Sequence, residues 1–499
     1  MFEFNDRAAY RILEIIPGLA IWSTFVAAII LSIYAPIWVV YFVLLFDFYW
    51  LLRVCYFVFY LIYAWRRYRR DIIRDWWHDV QSLPRWHDVY HIIFLPTYQE
   101  SLGIVVTTIE NLAQSAYDTK RFIIVLAGEE RDEASFKRIV DVIMTRYRER
   151  FYDIITTLHP ANLPDEMPGK GSNIHWAGKH VKEYIDAAKL PYENLVVSSF
   201  DVDTISHPQY FACLTYAYLT HPQPQRTSYQ PAVLYNNNLW ESPAITRIAA
   251  FGTTFWLMTE LARPERLLTF SSHSLSWQAL VDVGFWSKQV VSEDSRIFLQ
   301  CLLHYDGDYR VMPLYVPVSM DMVKAKTYIR SLIALYRQQR RWAWGVENLP
   351  YMAWHFRRHP KMPLRSKVYY LWNLAEGMYQ WATAPLLIFV IGRLPAIISS
   401  EAVRQQALFQ NAPFVMEGLL QLSMVGILVS VIVSVKLLPP RSLTTPSYKY
   451  VTMLVQWILL PFTLVVFGSL PAIDAQTRLM LGRYLGFNVT EKRRTNADL

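Results

Sequence analysis

The hydrophobic positions of this 499-residue chain form two groups of long apolar stretches, separated by a polar region of ordinary globular composition. Residues 15–34 contain no charged residue, and residues 36–64 carry only Asp47 and Arg53. Each stretch is long enough to cross a bilayer. Further apolar stretches follow at 368–391, 414–435 and 450–470. The pattern predicts two membrane helices before the polar region and up to three after it.

Within the polar region, short apolar runs alternate with stretches of helical periodicity. Apolar residues at 91–95 and 122–126 are typical of buried strands, and each run is followed by a predicted helix. A third run, at 196–197, leads into Asp201 and Asp203. This order predicts a doubly wound, mostly parallel α/β sheet whose strand ends line one cleft.

The D-x-D pair after the third strand is the first candidate site. Alternation along an extended chain would point Asp201 and Asp203 the same way, so that both could meet one hard divalent cation. The alternative is a solvated acid pair in a turn, which is the commoner meaning of an isolated D-x-D.

Three other short motifs have both a chemical and a plain structural interpretation. The glycine-punctuated loop at 168–173 could bring backbone N–H groups and Lys170 to a phosphate, or be an ordinary turn. Glu293 and Asp294 precede a helix, where acids commonly stabilise the N-terminus by ~0.3–1 kcal/mol. Gln338 to Trp342 lies on an amphipathic helix whose basic face could instead rest on anionic lipid.

Composition and charge favour a membrane protein. Hydrophobic residues make up 53% of the chain and charged residues 18%, an apolar balance for a soluble protein. The net charge of +8 comes from Lys and Arg beside membrane segments, which indicates topology rather than nucleic-acid binding. Basic clusters flank the first two helices, so both ends of this hairpin and the polar domain are expected to be cytoplasmic. The three cysteines lie far apart and indicate neither disulfides nor a zinc site.

Taken together and in this order, the motifs resemble those of the membrane-integrated family 2 glycosyltransferases, the superfamily of cellulose and hyaluronan synthases. The resemblance covers roughly residues 90–350 and the flanking helices. It is carried by the following segments: Pro96-Thr97-Tyr98-Gln99-Glu100, Lys170-Gly171-Ser172-Asn173, Asp201-Val202-Asp203, Glu293-Asp294 and Gln338-x-x-Arg341-Trp342.

The resemblance implies a cytoplasmic GT-A-type nucleotide-sugar domain inserted between transmembrane helices, and a role for each motif residue. Asp203 would bind Mg²⁺ or Mn²⁺ with Asp201 beside it, and Asp294 would be the general base, next to Glu293. Residues expected to hold the nucleotide sugar are Thr97, Tyr98, Glu100, Glu129, Lys170, Asn173 and Asp201. Residues expected at the diphosphate and acceptor are Gln338, Arg341 and Trp342. Glu129 is included because this chain has glutamates where the family usually has aspartates after the second strand.

The C-terminal tail fits the F-x-V-T-x-K pattern of the gating loop of cellulose-synthase-like enzymes. The matching residues are Phe487, Val489, Thr490 and Lys492; the alternative is a basic tail without this role. Three crossings after the catalytic domain would leave the tail outside, whereas its positive charges favour the inside. We therefore expect one late segment, the one interrupted by Pro461, to be re-entrant or interfacial.

The sequence thus predicts four regions: an N-terminal hairpin (1–65), a catalytic domain with interfacial helices (66–365), a C-terminal membrane region (366–471) and a cytoplasmic tail (472–499). The expected activity is inverting transfer from a nucleotide sugar, most simply a UDP-sugar, to a growing polysaccharide, by a multi-pass inner-membrane enzyme in contact with lipid. Single transfer to a lipid or short acceptor is an alternative, and a non-catalytic nucleotide-sugar-binding protein is another. No nucleic-acid partner is expected, and an export partner or an oligomer is left open.

Overall fold

The computed structural model of the protein describes residues 4–438, 446 and 448–486. In this part of the chain, eight strands form a single sheet in the order β3-β2-β1-β4-β7-β6-β8-β5. The strands are β1 (Tyr90–Thr97), β2 (Phe122–Glu129), β3 (Asp153–His159), β4 (Leu195–Ser199), β5 (Ile205–Ser206), β6 (Thr227–Tyr235), β7 (His273–Ser276) and β8 (Arg310–Met320).

The sheet is mixed but mostly parallel. Strand β1 runs parallel to β2 and β4, β2 to β3, and β6 to β8. The pairs β4–β7, β6–β7 and β5–β8 are antiparallel. Strands β2 and β4 are buried along their whole length, as expected for central strands with both faces covered. The predicted α/β fold class is confirmed, although β3, β5, β6 and β8 were not predicted.

The helices that accompany the sheet cover its faces or connect its strands. They are α3 (Trp76–Gln81), α4 (Leu102–Ala113), α5 (Glu133–Tyr147), α6 (Lys170–Ala187), α7 (Tyr210–Thr220), α8 (Ala244–Leu261), α9 (Trp277–Asp282), α10 (Glu293–His304), α11 (Tyr328–Ala343) and α12 (Asn348–Phe356).

Further helices, several of them long and apolar, precede and follow this domain. Before it come α1 (Phe4–Tyr34) and α2 (Pro36–Asp71). After it come α13 (Leu364–Phe389), α14 (Leu394–Ile398), α15 (Glu401–Arg404), α16 (Ala407–Lys436), α17 (Tyr448–Val455), α18 (Leu460–Thr463) and α19 (Leu470–Met480).

Five segments of the described chain are long and apolar enough to cross a membrane. They are Asp6–Tyr34, Pro36–Asp71, Leu364–Ile398, Ala407–Lys436 and Tyr448–Met480. Their number and placement agree with two predicted segments before the domain and three after it, and they indicate a multi-pass membrane protein. The last segment is interrupted by a 3₁₀ turn at Gln456–Leu459 and a π-helical turn at Leu464–Ser469. That this segment is re-entrant or interfacial stays a prediction.

The two charged residues in the apolar part of α2, Asp47 and Arg53, face other parts of the protein. Arg53 forms an ion pair of 3.2 Å with Glu376 on α13, and Tyr49 donates a hydrogen bond of 2.9 Å to the same carboxylate. Asp47 is buried. At the basic end of the helix, the guanidinium of Arg67 lies 5.4 Å from the centre of the Tyr315 ring on β8. The sheet domain therefore contacts the end of the N-terminal hairpin that carries its positive charges.

Candidate active site

The carboxyl ends of β1, β2 and β4 meet at one edge of the sheet. In the parallel register, Thr97 lies opposite Gly128, and Phe94 lies opposite Ser199. The residues that follow these strands, including Tyr98 and Asp201, therefore emerge at the same edge. This is the ligand-binding edge of open α/β sheets.

Lys170, the first residue of α6, lies at the centre of this edge. Its Nζ atom is 2.8 Å from Oδ1 of Asp201 and 3.0 Å from both carboxylate oxygens of Asp294. It is also 3.6 Å from Oε1 of Glu293. Lys170 is only 9% exposed and Glu293 4%. One ammonium group therefore joins three motifs that are far apart in the sequence: K-G-S-N, D-x-D and E-D.

Charge and burial oppose each other in this cluster. Burial alone would lower the pKa of Lys170, but the charges of Asp201, Asp294 and Glu293 raise it above its ordinary value overall. Burial is the largest influence on Glu293; together with the charge of Asp294 it raises the pKa of that carboxyl from 4.5 to about 8, although Lys170 and Arg341 act in the opposite direction. By distance, Asp201 and Asp294 are the closest counter-ions of the lysine.

The start of α6 is held in place by a close contact and a hydrogen bond. A Cβ atom added to Gly171 would lie 2.7 Å from the carbonyl oxygen of Ser287, which makes glycine necessary for this approach. The side-chain amide of Asn173 donates to the carbonyl oxygen of Ala127 at 2.8 Å. Asn173, predicted to face the nucleotide, therefore also joins α6 to the end of β2.

The two aspartates of the D-x-D motif do not alternate along a strand. β4 ends at Ser199, and Thr204 donates a backbone hydrogen bond of 2.9 Å to Asp201, which closes a turn. The premise of an extended chain, from which parallel carboxylates were expected, is therefore wrong. Asp201 accepts from the hydroxyl of Ser271 at 2.7 Å, whereas Asp203, 2% exposed, accepts from the backbone N–H of Asp321 at 2.8 Å.

The predicted nucleoside residues gather at the ends of β1 and β2, together with Arg131. Arg131 forms an ion pair with Glu129, and its guanidinium lies 4.6 Å from the centre of the Tyr98 ring. Thr97 is buried, with its hydroxyl 3.2 Å from the carbonyl oxygen of Leu95, and Glu100 is half-buried. Sequence analysis missed Arg131; its place directly after the acidic end of β2 was the only signal.

The segment that carries Asp294 has further neighbours that the sequence did not single out. Thr269 donates from its hydroxyl to the carbonyl oxygen of Asp294 at 2.5 Å. Nδ1 of His273, a fully buried residue, donates to the carbonyl oxygen of Phe270 at 2.9 Å and lies 3.7 Å from Asp294 Oδ1. Burial lowers the pKa of His273. A neutral imidazole therefore borders the predicted base.

The Q-x-x-R-W motif lies on α11, beside the same cluster. Gln338 is buried, and the Trp342 ring centre is 5.8 Å from that of Tyr235. Burial raises the pKa of Glu293, and the positive charge of Arg341 opposes this rise, so α11 acts electrostatically on the E-D pair. The neighbouring Arg340 pairs with Asp474 on α19 at 2.8 Å. Helix α11 is thus held between the sheet domain and the last apolar segment.

Two predictions about this region stay open. Among residues 4–438, 446 and 448–486, no group of three or more His, Cys, Asp or Glu side chains is arranged to hold a metal ion. The predicted gating residues Phe487, Val489, Thr490 and Lys492 lie outside the described residues.

Comparisons with known proteins place the chain in a family. The profile of the family described as "Glycosyl transferase family group 2" matches residues 196–470, more than half of the chain. No curated protein matches the chain.

Among solved structures, the mannosyltransferase PcManGT from Pyrobaculum calidifontis, in complex with GDP-Man and Mn²⁺, is similar over 74% of this chain and 99% of its own, with 12% identity and a TM-score of 0.41. S. aureus TarS 1–349, in complex with UDP-GlcNAc, is similar over 80% of this chain and 94% of its own, with 12% identity and a TM-score of 0.37. By the extent of the profile match, the chain belongs to the glycosyl transferase family group 2 and is a glycosyltransferase.

Proposed function

We propose that this protein is an inverting hexosyltransferase that moves a sugar from a UDP-sugar to the growing end of a polysaccharide. The observation that carries the proposal is the contact of Lys170 with both Asp201 and Asp294. This contact joins the D-x-D motif, which is expected to bind the metal ion, to the E-D motif, which is expected to supply the base. Neither motif alone would distinguish a transferase from a binding protein.

The chemistry follows from one base and one leaving group. Asp294 accepts the proton of the acceptor hydroxyl while the new bond from that oxygen to the anomeric carbon forms. The bond from the anomeric carbon to the diphosphate oxygen breaks, and the nucleoside diphosphate leaves. Arg341 and Lys170 offset the negative charge that develops on this leaving group. A single displacement of this kind inverts the anomeric configuration.

Lys170 has two roles in this scheme. Its ammonium is hydrogen-bonded to both oxygens of Asp294, which holds that carboxylate in place. A bound diphosphate supplies competing negative charge to the lysine. Donor binding thereby weakens the contact with Asp294 and leaves the carboxylate available to the acceptor.

The acids at the strand ends fit Mg²⁺ or Mn²⁺ as a cofactor. Carboxylates of Asp201, Glu293 and Asp294 already gather around one ammonium group, so the site favours positive charge, and carboxylate oxygens suit both ions. Nucleotide-binding sites commonly hold Mg²⁺ with one or two carboxylates and the substrate phosphates. Asp203 and Asp201 would hold the ion here. When bound, it supplies charge that stabilises the departing diphosphate.

We place the enzyme in the inner membrane with its catalytic domain, residues 66–365, in the cytoplasm. The support is the contact of β8 with the arginine-rich end of α2 through Arg67 and Tyr315, because such ends stay cytoplasmic. The membrane regions are residues 1–65 and 366–471, and the tail 472–499 is cytoplasmic with its gating-loop pattern.

The acceptor is tested by the size of the product. Purified protein in nanodiscs is incubated with labelled UDP- and GDP-sugars, with and without Mn²⁺, and products are separated by size and by extraction into organic solvent. Long, water-soluble product from one UDP-sugar supports the proposal. Short product in the organic phase would indicate that the acceptor is a lipid and not a polysaccharide. Nucleotide binding without any product would favour the non-catalytic alternative.

A further inference from the structure

The carboxylate of Glu347 holds the segment that leads into the E-D pair. Its Oε1 atom accepts hydrogen bonds from the backbone N–H groups of Val291 and Ser292, at 3.3 and 3.2 Å, and from the hydroxyl of Ser292 at 2.6 Å. Its Oε2 atom accepts from the indole N–H of Trp344 at 2.9 Å. Four donors thus converge on one side chain that no sequence motif indicated.

The next residue, Asn348, continues the same attachment. Its amide nitrogen donates to the hydroxyls of Ser292 and Ser295 at 3.2 and 2.9 Å. Its amide oxygen accepts from Nε of Arg296, a buried residue, at 2.6 Å. Glu347 and Asn348 together therefore hold the first turn of α10, on which Asp294 lies.

Glu347 also belongs to the segment that carries the Q-x-x-R-W motif. Helix α11 ends at Ala343 and runs without interruption into a 3₁₀ turn, Trp344–Glu347. The bond from Trp344 to Glu347 lies within this turn. Arg341, expected at the leaving group, and the attachment point of the base segment are therefore parts of one continuous helical structure.

We infer that Glu347 is a positioning residue, which fixes Asp294 relative to Arg341. The inference rests on the proposed function, because it assigns Asp294 to the base and Arg341 to the diphosphate. Base and leaving group act on opposite sides of the anomeric carbon, so their separation has to be constant within a fraction of an ångström. The hydrogen bonds of Glu347 supply this constancy without contact with the substrate.

The inference explains why the residue before the E-D pair, Ser292, carries a hydroxyl group. The hydroxyl of Ser292 donates to Glu347 and accepts from Asn348, so it is the point at which both side chains hold the loop. A threonine could make the same two bonds, whereas an alanine could make neither. We expect Ser292→Thr to behave like the wild type and Ser292→Ala to show a smaller loss than Glu347→Ala, because the backbone N–H groups of residues 291 and 292 still reach Glu347.

The test separates positioning from stability. Glu347→Ala removes all four hydrogen bonds, while Glu347→Gln keeps an oxygen for Ser292 but turns an N–H₂ group towards the indole N–H of Trp344. The double variant Glu347→Gln/Trp344→Phe removes that conflict. Asp282→Ala is the matched control, since Asp282 accepts from the Tyr305 hydroxyl at 2.6 Å near the opposite end of α10.

Two measurements are made on each variant in nanodiscs: steady-state kinetics with the active donor, and hydrogen exchange of the amides of Val291 and Ser292. For Glu347→Ala we expect kcat to fall by about 10- to 100-fold with the donor KM changed less than about 3-fold, because misplacement of a reacting group affects turnover. Amide exchange should accelerate. The double variant should recover most of kcat. Asp282→Ala should keep the wild-type kcat and the wild-type amide exchange of Val291 and Ser292, whatever its melting temperature.

Unchanged kcat in Glu347→Ala would overturn the inference, and so would a loss that Asp282→Ala shares. Absence of activity in the wild-type enzyme with every donor would contradict the proposed function instead. In that case the exchange measurement still decides whether Glu347 holds the segment: unchanged protection of Val291 and Ser292 in Glu347→Ala would overturn it.

Discussion

Lys170 places its Nζ atom 3.0 Å from both carboxylate oxygens of Asp294. This symmetrical contact joins the start of α6 to the start of α10, and the same nitrogen reaches Asp201 at 2.8 Å. A buried lysine with these neighbours offsets their negative charge. The proposed mechanism assigns the same ammonium group to the diphosphate.

Removal of this charge should destabilise the protein. Lys170→Met leaves Asp201, Glu293 and Asp294 without their nearest cation, and loss of one member of a buried ion cluster costs roughly 3–5 kcal/mol. We expect a clearly lower melting temperature in detergent at pH 8, with partial recovery as the pH falls and the acids become protonated. Lys170→Arg, which keeps the charge, is the control. Equal melting temperatures for Lys170→Met and wild type would contradict the role assigned to the cluster.

Glu293 makes stability depend on pH. Its pKa is raised by burial, and next by Asp294, from 4.5 to about 8, so between these values the folded state binds more protons than the unfolded state. The free energy of unfolding should therefore decrease as the pH rises from about 4.5 to 8. Glu293→Gln, which cannot ionise, should flatten this part of the stability profile. Parallel pH profiles for the variant and the wild type would exclude Glu293 as the titrating group.

Tyr98 should contribute to nucleotide affinity. Its ring lies at the end of β1, beside the Glu129–Arg131 ion pair, and stacking of a base on an aromatic ring contributes ~1–3 kcal/mol. We expect Tyr98→Ala to weaken UDP binding by about 10-fold or more, measured by calorimetry, while Tyr98→Phe binds nearly as well as wild type. If alanine and phenylalanine variants bind UDP equally, the base does not stack on this ring.

The charges inside the membrane helices should behave as a pair. Arg53 and Glu376 are 3.2 Å apart on α2 and α13, in segments where an unpaired charge is unfavourable by ~2.5–3.5 kcal/mol. Arg53→Leu and Glu376→Leu should each lower the melting temperature, and the double variant should lower it by less than the sum. Additive effects in this double-mutant cycle would show that the two side chains do not stabilise each other.

Periodicity was sufficient to predict the sheet class and the apolar helices, and the family resemblance implied that the motif residues lie in one site. They could not show that Lys170 bridges Asp201 and Asp294, because that contact depends on how α6 and α10 pack rather than on any local pattern. The turn that contains Asp201 and Asp203 was not predicted, since β4 ends at Ser199, before the motif.

Residues that act through other residues left no sequence signal. Glu347 and Thr269 have ordinary neighbours in the sequence, and their partners lie 55 and 25 residues away in Ser292 and Asp294. His273 is another example, because its burial between β4 and the base follows from antiparallel pairing of β7. Such roles emerge only from tertiary contacts.

The most direct test of the account compares nucleoside diphosphate release by wild type and Asp294→Asn. Both proteins are purified in nanodiscs and given UDP- and GDP-sugars with and without Mn²⁺, and UDP binding is measured in parallel. We predict metal-dependent release from one donor by the wild type, and a loss of at least about 100-fold in Asp294→Asn, since it lacks the general base, with UDP affinity retained. Comparable release by Asp294→Asn, in a protein that binds UDP normally, would contradict the assignment of Asp294 and with it the proposed mechanism.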